Sequence, residues 1–200
     1  MNMRLIPLLL ATVLATAACK DAGNSPSGAA SAGAPAAAAQ PVSLDAIAAE
    51  AKGFSVGPAM SARVVYVFFD AQCPHCGALW EAAKPLKTQA RFVWIPVRLL
   101  NDSSLSQGAA LLSASDPVAT MDAHEASLLA KTGGISASGV ADAQKDAVKR
   151  NTDLFTRYAF GSVPTLVTKQ AQTGAVVTQE GSMPTPQLAA FLGVPLPGGS

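Results

Sequence analysis

Arg63-Val64-Val65-Tyr66-Val67-Phe68-Phe69-Asp70-Ala71-Gln72-Cys73-Pro74-His75-Cys76 is the stretch on which the fold turns. Residues 63–70 are an uninterrupted apolar and β-branched run of strand length. Being apolar at both alternating sets of positions, the run predicts a central strand buried on both faces. A helical stretch follows the cysteines, Gly77 to Gln89, with Leu79, Trp80, Ala83 and Leu86 available for one buried face. Pro74 falls in the first turn, where its missing N–H costs nothing, and Pro85 predicts a kink.

A C-x-x-C pair admits three readings: redox catalysis, half of a zinc site, or a structural staple. Zinc takes four ligands, and the chain offers only His75, inside the same turn, and His124, alone in a helical stretch. A staple closing so short a loop restrains little unfolded-chain entropy. Redox chemistry at Cys73 and Cys76 is therefore favoured, with no metal and no cofactor beyond the redox-active disulfide itself. At a helix start, free amides and the positive end of the dipole stabilise a thiolate, and His75 adds partial positive charge near the same sulfur. A stabilised thiolate makes the disulfide a stronger oxidant. Cys73, the exposed thiol at the helix end, is expected to attack, and Cys76, one turn in, to resolve the mixed disulfide. Asp70 has two readings: it tunes a proton or contacts substrate, or it caps the turn.

Upstream, Ser43 predicts the cap of a short helix with Leu44, Ile47 and Ala51 on one face, ended by Gly53. Downstream, Arg91 to Leu99 predicts a second strand, with Pro96 at an edge or bulge. Residues 101–160 are alanine-rich and predict helices over Ser104–Ala114, Pro117–Lys131 and Ser138–Tyr158. Asp116 caps the middle one with Pro117 first in it, and Thr132-Gly133-Gly134 breaks the run. Val163–Lys169 and Ala175–Glu180 read as strands joined by a turn at Thr173-Gly174, and Thr185–Leu192 as a closing helix with Gly193 after it. His124 reads as a helix-surface residue, Met60, Met121 and Met183 as packing, and Trp80 and Trp94 as core aromatics.

A net charge of +1, with 14% charged residues, excludes a nucleic-acid binder, since phosphate binding needs clustered Lys and Arg. At the N-terminus, Arg4, the apolar run Leu5–Leu14 and small residues 15–18 have the build of a secretory signal peptide. The run is about half of the roughly 20 apolar residues that a membrane span needs. Export implies a compartment where disulfides persist. Cys19 follows Thr16-Ala17-Ala18, which resembles the lipobox of bacterial lipoproteins with Thr16 in the usual Leu position. Lipidation of Cys19 is favoured because a free exposed thiol is a liability in such a compartment; the alternative is cleavage after Ala17 and a soluble protein. Residues 21–41, almost wholly Ala, Gly, Ser and Pro, predict a disordered tether with a reach of roughly 25 Å. The expected organisation is a signal peptide over 1–18, a tether over 19–42 and a folded domain over 43–200.

The element order is strand, helix, strand, helical block, two strands, helix. That is an α/β thioredoxin fold with a helical insertion, about 101–160, between the second strand and the strand after Pro164. In this plan Val163-Pro164-Thr165 is a cis-proline loop that faces the cysteines and lines the substrate groove. The segment Val64–Gly193 resembles the catalytic domain of the periplasmic DsbC/DsbG disulfide isomerase family. Phe69 to Cys76, Trp94-Ile95-Pro96-Val97, Ala109 to Leu112, Asp116-Pro117, Val163-Pro164-Thr165 and Gly181 to Leu192 carry the similarity. Pro74-His75 and Val163 resemble the dithiol oxidase DsbA instead, tilting the centre toward oxidation. The resemblance implies exported cysteine-containing proteins as substrates and a membrane redox partner of the DsbB or DsbD type. It leaves a DsbG-like reductase or isomerase, or a sulfenic-acid reductase, as alternatives; a non-catalytic thioredoxin-like binding lipoprotein is a further one. Pro41–Ala62 is shorter than the family's N-terminal dimerisation domain and linker, so a monomer is expected, periplasmic and anchored through Cys19, or soluble there.

Overall fold

The computed structural model describes residues 40–198. The predicted signal peptide, Cys19 and all but the last three residues of the predicted tether lie outside the described residues. Along the chain run α1 (Leu44–Glu50), β1 (Phe54–Val56), β2 (Val64–Asp70), α2 (Pro74–Ala83), β3 (Arg91–Val97), α3 (Asp102–Ser113), α4 (Pro117–Leu129), α5 (Asp142–Arg157), β4 (Thr165–Lys169), β5 (Val176–Glu180) and α6 (Thr185–Leu192). Gln40 N–H donates to Arg157 O at 3.3 Å and Val42 packs on the core, so the segment 40–42 already contacts the domain.

The strands form one sheet in the order β1-β3-β2-β4-β5, with β2 and β3 parallel and the other neighbours antiparallel. β2 is central and its side chains divide between two cores, as its two-faced apolar pattern requires. Val65, Val67 and Phe69 join Trp94, Leu79, Trp80, Leu111, Met121 and Leu188 on one side. Tyr66 and Phe68 join Ile47, Ile95, Leu154, Phe155 and Phe160 on the other. Trp80 and Trp94 meet edge to face at 5.0 Å, a core pair as the sequence predicts. Each large apolar side chain so buried contributes about 1.5–3 kcal/mol. Met60 departs from its predicted packing role: it is 95% exposed, on the turn before β2.

The inserted helices α3–α5 lie between β3 and β4, the predicted place. α5 starts at Asp142 and not Ser138, because Gly139 takes φ +74°, outside the helical region. β1 was not predicted; its three residues pair with Phe92–Trp94 of β3. Pro96 lies beyond that pairing, with β2 as its only strand neighbour, so its missing N–H interrupts no ladder. Asn151 of α5 covers this free edge: its amide donates to Pro96 O (2.9 Å) and Lys52 O (2.8 Å), and its carbonyl accepts from Lys52 N–H (2.9 Å).

Candidate active site

β2 ends at Asp70 and α2 begins at Pro74, so Cys73 closes a strand-to-helix turn and Cys76 sits in the first turn of α2, after the central strand of the sheet. Cys73 is the N-cap, with φ −91° and ψ 114°, and its carbonyl accepts from the N–H groups of Cys76 (2.9 Å) and Gly77 (3.3 Å). α2 therefore starts at Pro74, the residue the sequence places in its first turn. Pro85 ends it in a single 3₁₀ turn, Lys84–Leu86, where a kink was predicted.

Asp70 is 1% exposed, and its carboxylate is spent on backbone: Oδ1 accepts from Gln72 N–H (2.8 Å), Oδ2 from Leu99 (2.8 Å) and Leu100 (3.0 Å) N–H. Of its two readings, these contacts match the turn-holding one. They tie the cysteine turn to the loop after β3.

Cys73 and Cys76 are both free thiols, and Cys76 is fully buried. Cys73 is not the exposed thiol predicted from its place at a helix end: it keeps 5% of its surface, because the Val163–Pro164 loop lies against it. Its Sγ lies 3.6 Å from Val163 O, to which the protonated thiol donates, and the Val163–Pro164 bond is cis. Thr165 is buried and opens β4 opposite Phe68. Pro74 and His75 are exposed beside the sulfur. The structure thus brings Cys73, Cys76, Pro74, His75, Val163, Pro164 and Thr165 together; Cys19 lies outside the described residues.

The two sulfurs are electrostatically unlike. The Cys76 thiol hydrogen-bonds the Cys73 sulfur and draws its pKa down; against burial, and helped by the amides of Cys76 and His75 and the His75 ring, it settles at about 6. Burial pushes the Cys76 thiol far up, and the neighbouring Cys73 sulfur adds to the rise. One thiolate at Cys73 beside a neutral Cys76 is the state this site favours near neutrality.

α4 contributes two residues that the sequence reading misplaced or missed. His124, read as a surface residue, is fully buried. Its Nε2–H donates to Ala71 O (2.6 Å) and its Nδ1 accepts from Ile135 N–H (3.2 Å), which fixes a neutral ring; burial draws its pKa down, the Ala71 contact opposing. Glu125, unremarked in the sequence, is 6% exposed and makes no hydrogen bond among the described residues. Burial pushes its carboxyl up to about 7, helped by Glu81 and Cys73 and opposed by Lys84. It lies where a side chain on Gly77 would be: a Cβ there would sit 2.1 Å from Oε2. A glycine inside a predicted helix, directly after Cys76, was the available signal of this close approach. Gln107 completes the brace, with Nε2 donating to Gly133 O (2.7 Å) and Ile135 O (3.1 Å), and Oε1 accepting from Gln72.

Among the described residues no three His, Cys, Asp or Glu side chains gather to hold a metal, and no helix is long and apolar enough to cross a membrane. No family model matches the chain. The chain is 31% identical over 141 residues to the thiol:disulfide interchange protein DsbG of Pseudomonas aeruginosa, a match covering 68% of this chain and 54% of that protein. The chain thus spans about half the length of that curated relative. The catalytic domain of Proteus mirabilis ScsC superposes with a TM-score of 0.57 at 18% identity, over 74% of this chain and 96% of that one. A periplasmic thioredoxin-like protein from Salmonella enterica serovar Typhimurium gives a TM-score of 0.60 at 13% identity, over 77% and 97%. The structural matches establish the thioredoxin fold, and a sequence match of that extent necessarily includes the Cys73–Cys76 turn. The chain is DsbG-like over the matched stretch, on a thioredoxin fold with a helical insertion.

Proposed function

We propose that the chain is an exported thiol–disulfide oxidoreductase that oxidises cysteine pairs in other exported proteins. What supports this reading is the division of the dithiol: the Cys76 thiol and the helix-start amides draw the Cys73 pKa down to about 6, while full burial pushes that of Cys76 up. In the oxidising direction a substrate thiolate attacks Cys73 Sγ of the disulfide. The new bond joins substrate to Cys73, the Cys73–Cys76 bond breaks, and its electron pair leaves on Cys76, which takes a proton. A second substrate thiolate then attacks the substrate sulfur of the mixed disulfide, and Cys73 departs as its stabilised thiolate. Two electrons pass from substrate to the dithiol, and no further cofactor takes part. A low pKa at the departing sulfur favours this direction, since lower-pKa thiols leave faster and poise the pair as an oxidant.

Val163 O, 3.6 Å from Cys73 Sγ, marks the groove edge along which a substrate backbone would lie, with Pro164 and Thr165 behind it. In this reading a membrane protein of the DsbB or DsbD type resets the dithiol. The protein acts as a periplasmic monomer, tethered through lipid on Cys19. Replacing Cys76 with Ala tests the exchange reading: Cys73 then lacks its resolving partner and should accumulate mixed disulfides with exported proteins, separable on non-reducing gels. If nothing is trapped while Cys73 still reacts with small disulfides, the protein-substrate reading fails. Reaction of oxidised wild type with a reduced model peptide, set against reduced wild type with an oxidised one, then gives the direction.

A further inference from the structure

Residues 161–164 carry the chain from the end of α5 into β4, and little within the segment holds it in place. Of the backbone N–H groups of Gly161, Ser162 and Val163, that of Gly161 alone is hydrogen-bonded among the described residues, and Pro164 has none to give. Yet this loop covers Cys73 and brings Val163 O to 3.6 Å from its sulfur. A loop with few hydrogen bonds of its own keeps one shape only if something outside braces it.

The brace comes from β5. Glu180 ends that strand directly opposite Thr165, the first residue of β4, and its carboxylate reaches back over the loop. Oε1 accepts from Gly161 N–H (2.8 Å) and Oε2 from the Ser162 hydroxyl (3.0 Å). The next residue extends the contact, Gly181 N–H donating to Pro164 O (2.8 Å). Within the loop, the Thr165 hydroxyl donates to Ser162 O. The carboxylate passes so close to Gly161 that a Cβ there would lie 3.1 Å from Oε2. No cation pairs with Glu180 among the described residues. Two charge-assisted hydrogen bonds to one planar acceptor fix both the place and the orientation of the residues just before Val163.

We propose that Glu180 is a positioning residue of the substrate groove: it holds Gly161 and Ser162 so that the Val163 backbone stands beside Cys73 as a fixed edge for an extended, cysteine-bearing segment. It acts through the loop, not on the sulfurs. The proposal deepens the disulfide-exchange reading and rests on it. A polypeptide lies along the loop, and ordering a loose loop at the moment of binding weakens affinity. A thiol as small as 2-mercaptoethanol reaches the Cys73 sulfur without lying along the loop at all. Glu180 therefore favours polypeptide thiols over small ones.

The test compares two thiols on the oxidised protein, a reduced model peptide with two cysteines and 2-mercaptoethanol, each followed by alkylation of the cysteines it frees. In Glu180→Ala the ratio of the two second-order rate constants, peptide over 2-mercaptoethanol, should fall by about threefold or more. Glu180→Gln can still accept from Gly161 N–H and donate to the Ser162 oxygen, so it should restore the ratio to within about twofold of wild type. A folded Glu180→Ala with a smaller fall overturns the proposal. Equal slowing with both thiols, the mark of a general loss of structure, leaves the ratio unchanged and overturns it too, as does a Glu180→Gln ratio as low as that of Glu180→Ala. If Glu180→Ala does not fold, Ser162→Ala takes its place, removing one of the two donors from an exposed position, and an unchanged ratio there overturns the proposal. A wild-type disulfide that 2-mercaptoethanol opens and the peptide does not removes the protein-substrate reading itself, a separate and distinguishable failure.

Discussion

The unlike sulfurs fix how the reduction potential must vary with pH. Closing the disulfide releases two protons while Cys73 is a thiol, but one when it is already a thiolate. The potential should therefore fall by about 59 mV per pH unit below the Cys73 pKa and by about 30 mV per unit above it. The break belongs at about pH 6. A second break from Cys76 should not appear in the accessible range, because burial keeps that thiol protonated. Against an ordinary thiol of 9.0, the lowered value stabilises the folded, reduced protein by about 1.4 kcal/mol at about pH 7, equivalent to about 30 mV of oxidising power. The sign follows from a depressed folded pKa: the stabilisation is fully present above the ordinary value, about 4 kcal/mol there, and is lost as pH falls through about 6. Equilibration with glutathione at successive pH values, read by alkylation, measures the curve. The causes can be ranked by alkylation of the reduced protein across pH. Cys76→Ala removes the leading hydrogen bond and should raise the Cys73 pKa, read from its alkylation rate, more than His75→Ala does. A single slope with its break near pH 9 would refute the reasoning, as would a larger effect from His75.

Asp70→Ala should lower stability by about 3 kcal/mol in urea unfolding, since three backbone N–H groups lose a charged acceptor; Asp70→Asn, which keeps one oxygen, should lose less. Asn151→Ala should cost about 2–3 kcal/mol, because it orphans the Pro96 and Lys52 carbonyls and the Lys52 N–H together. Amide exchange should then show loosening at Lys52 and the adjoining end of β3.

The sheet was legible where a strand carries its own signature. Residues 64–70 are apolar on both faces because helices cover both, and that shows in the residues themselves. β1 was not legible: a three-residue strand has no period to read, and exists because β3 offers it an edge. The dithiol turn and the Pro164 loop were legible from residue type, but the burial of Cys73 was not, since it comes from a loop 90 residues away. α4 misled for a related reason. His124 and Glu125 are polar residues in an alanine-rich helix, which locally resembles a solvated face. Only the docking of α4 on the redox turn, through an Ala71 carbonyl 53 residues distant, makes them interior.

That docking places neighbouring residues of one helix on either side of the cysteines: His124 grips the carbonyl of Ala71 before them, and Glu125 fills the hollow at Gly77 after them. Their linkages to pH oppose each other. His124 has a lowered folded pKa, so the folded state binds fewer protons and loses stability as pH falls through the ordinary histidine value of about 6.5. Glu125 has a raised one, about 7 against an ordinary 4.5, so the folded state binds more protons. Its stability falls as pH rises from about 4.5 to about 7, by at most about 3 kcal/mol. In the wild type the two slopes overlap and offset. Oxidised protein isolates them, because Cys73 has no thiolate to titrate and burial, the leading cause at Glu125, persists. His124→Gln, which keeps a donor and an acceptor, should then lose stability as pH rises across this window. Glu125→Gln should gain it, and the urea midpoints of the two variants should diverge in mirror image about a flatter wild type. Parallel slopes in the two variants would mean that α4 does not hold its neutral imidazole and its raised carboxyl against the redox turn as described.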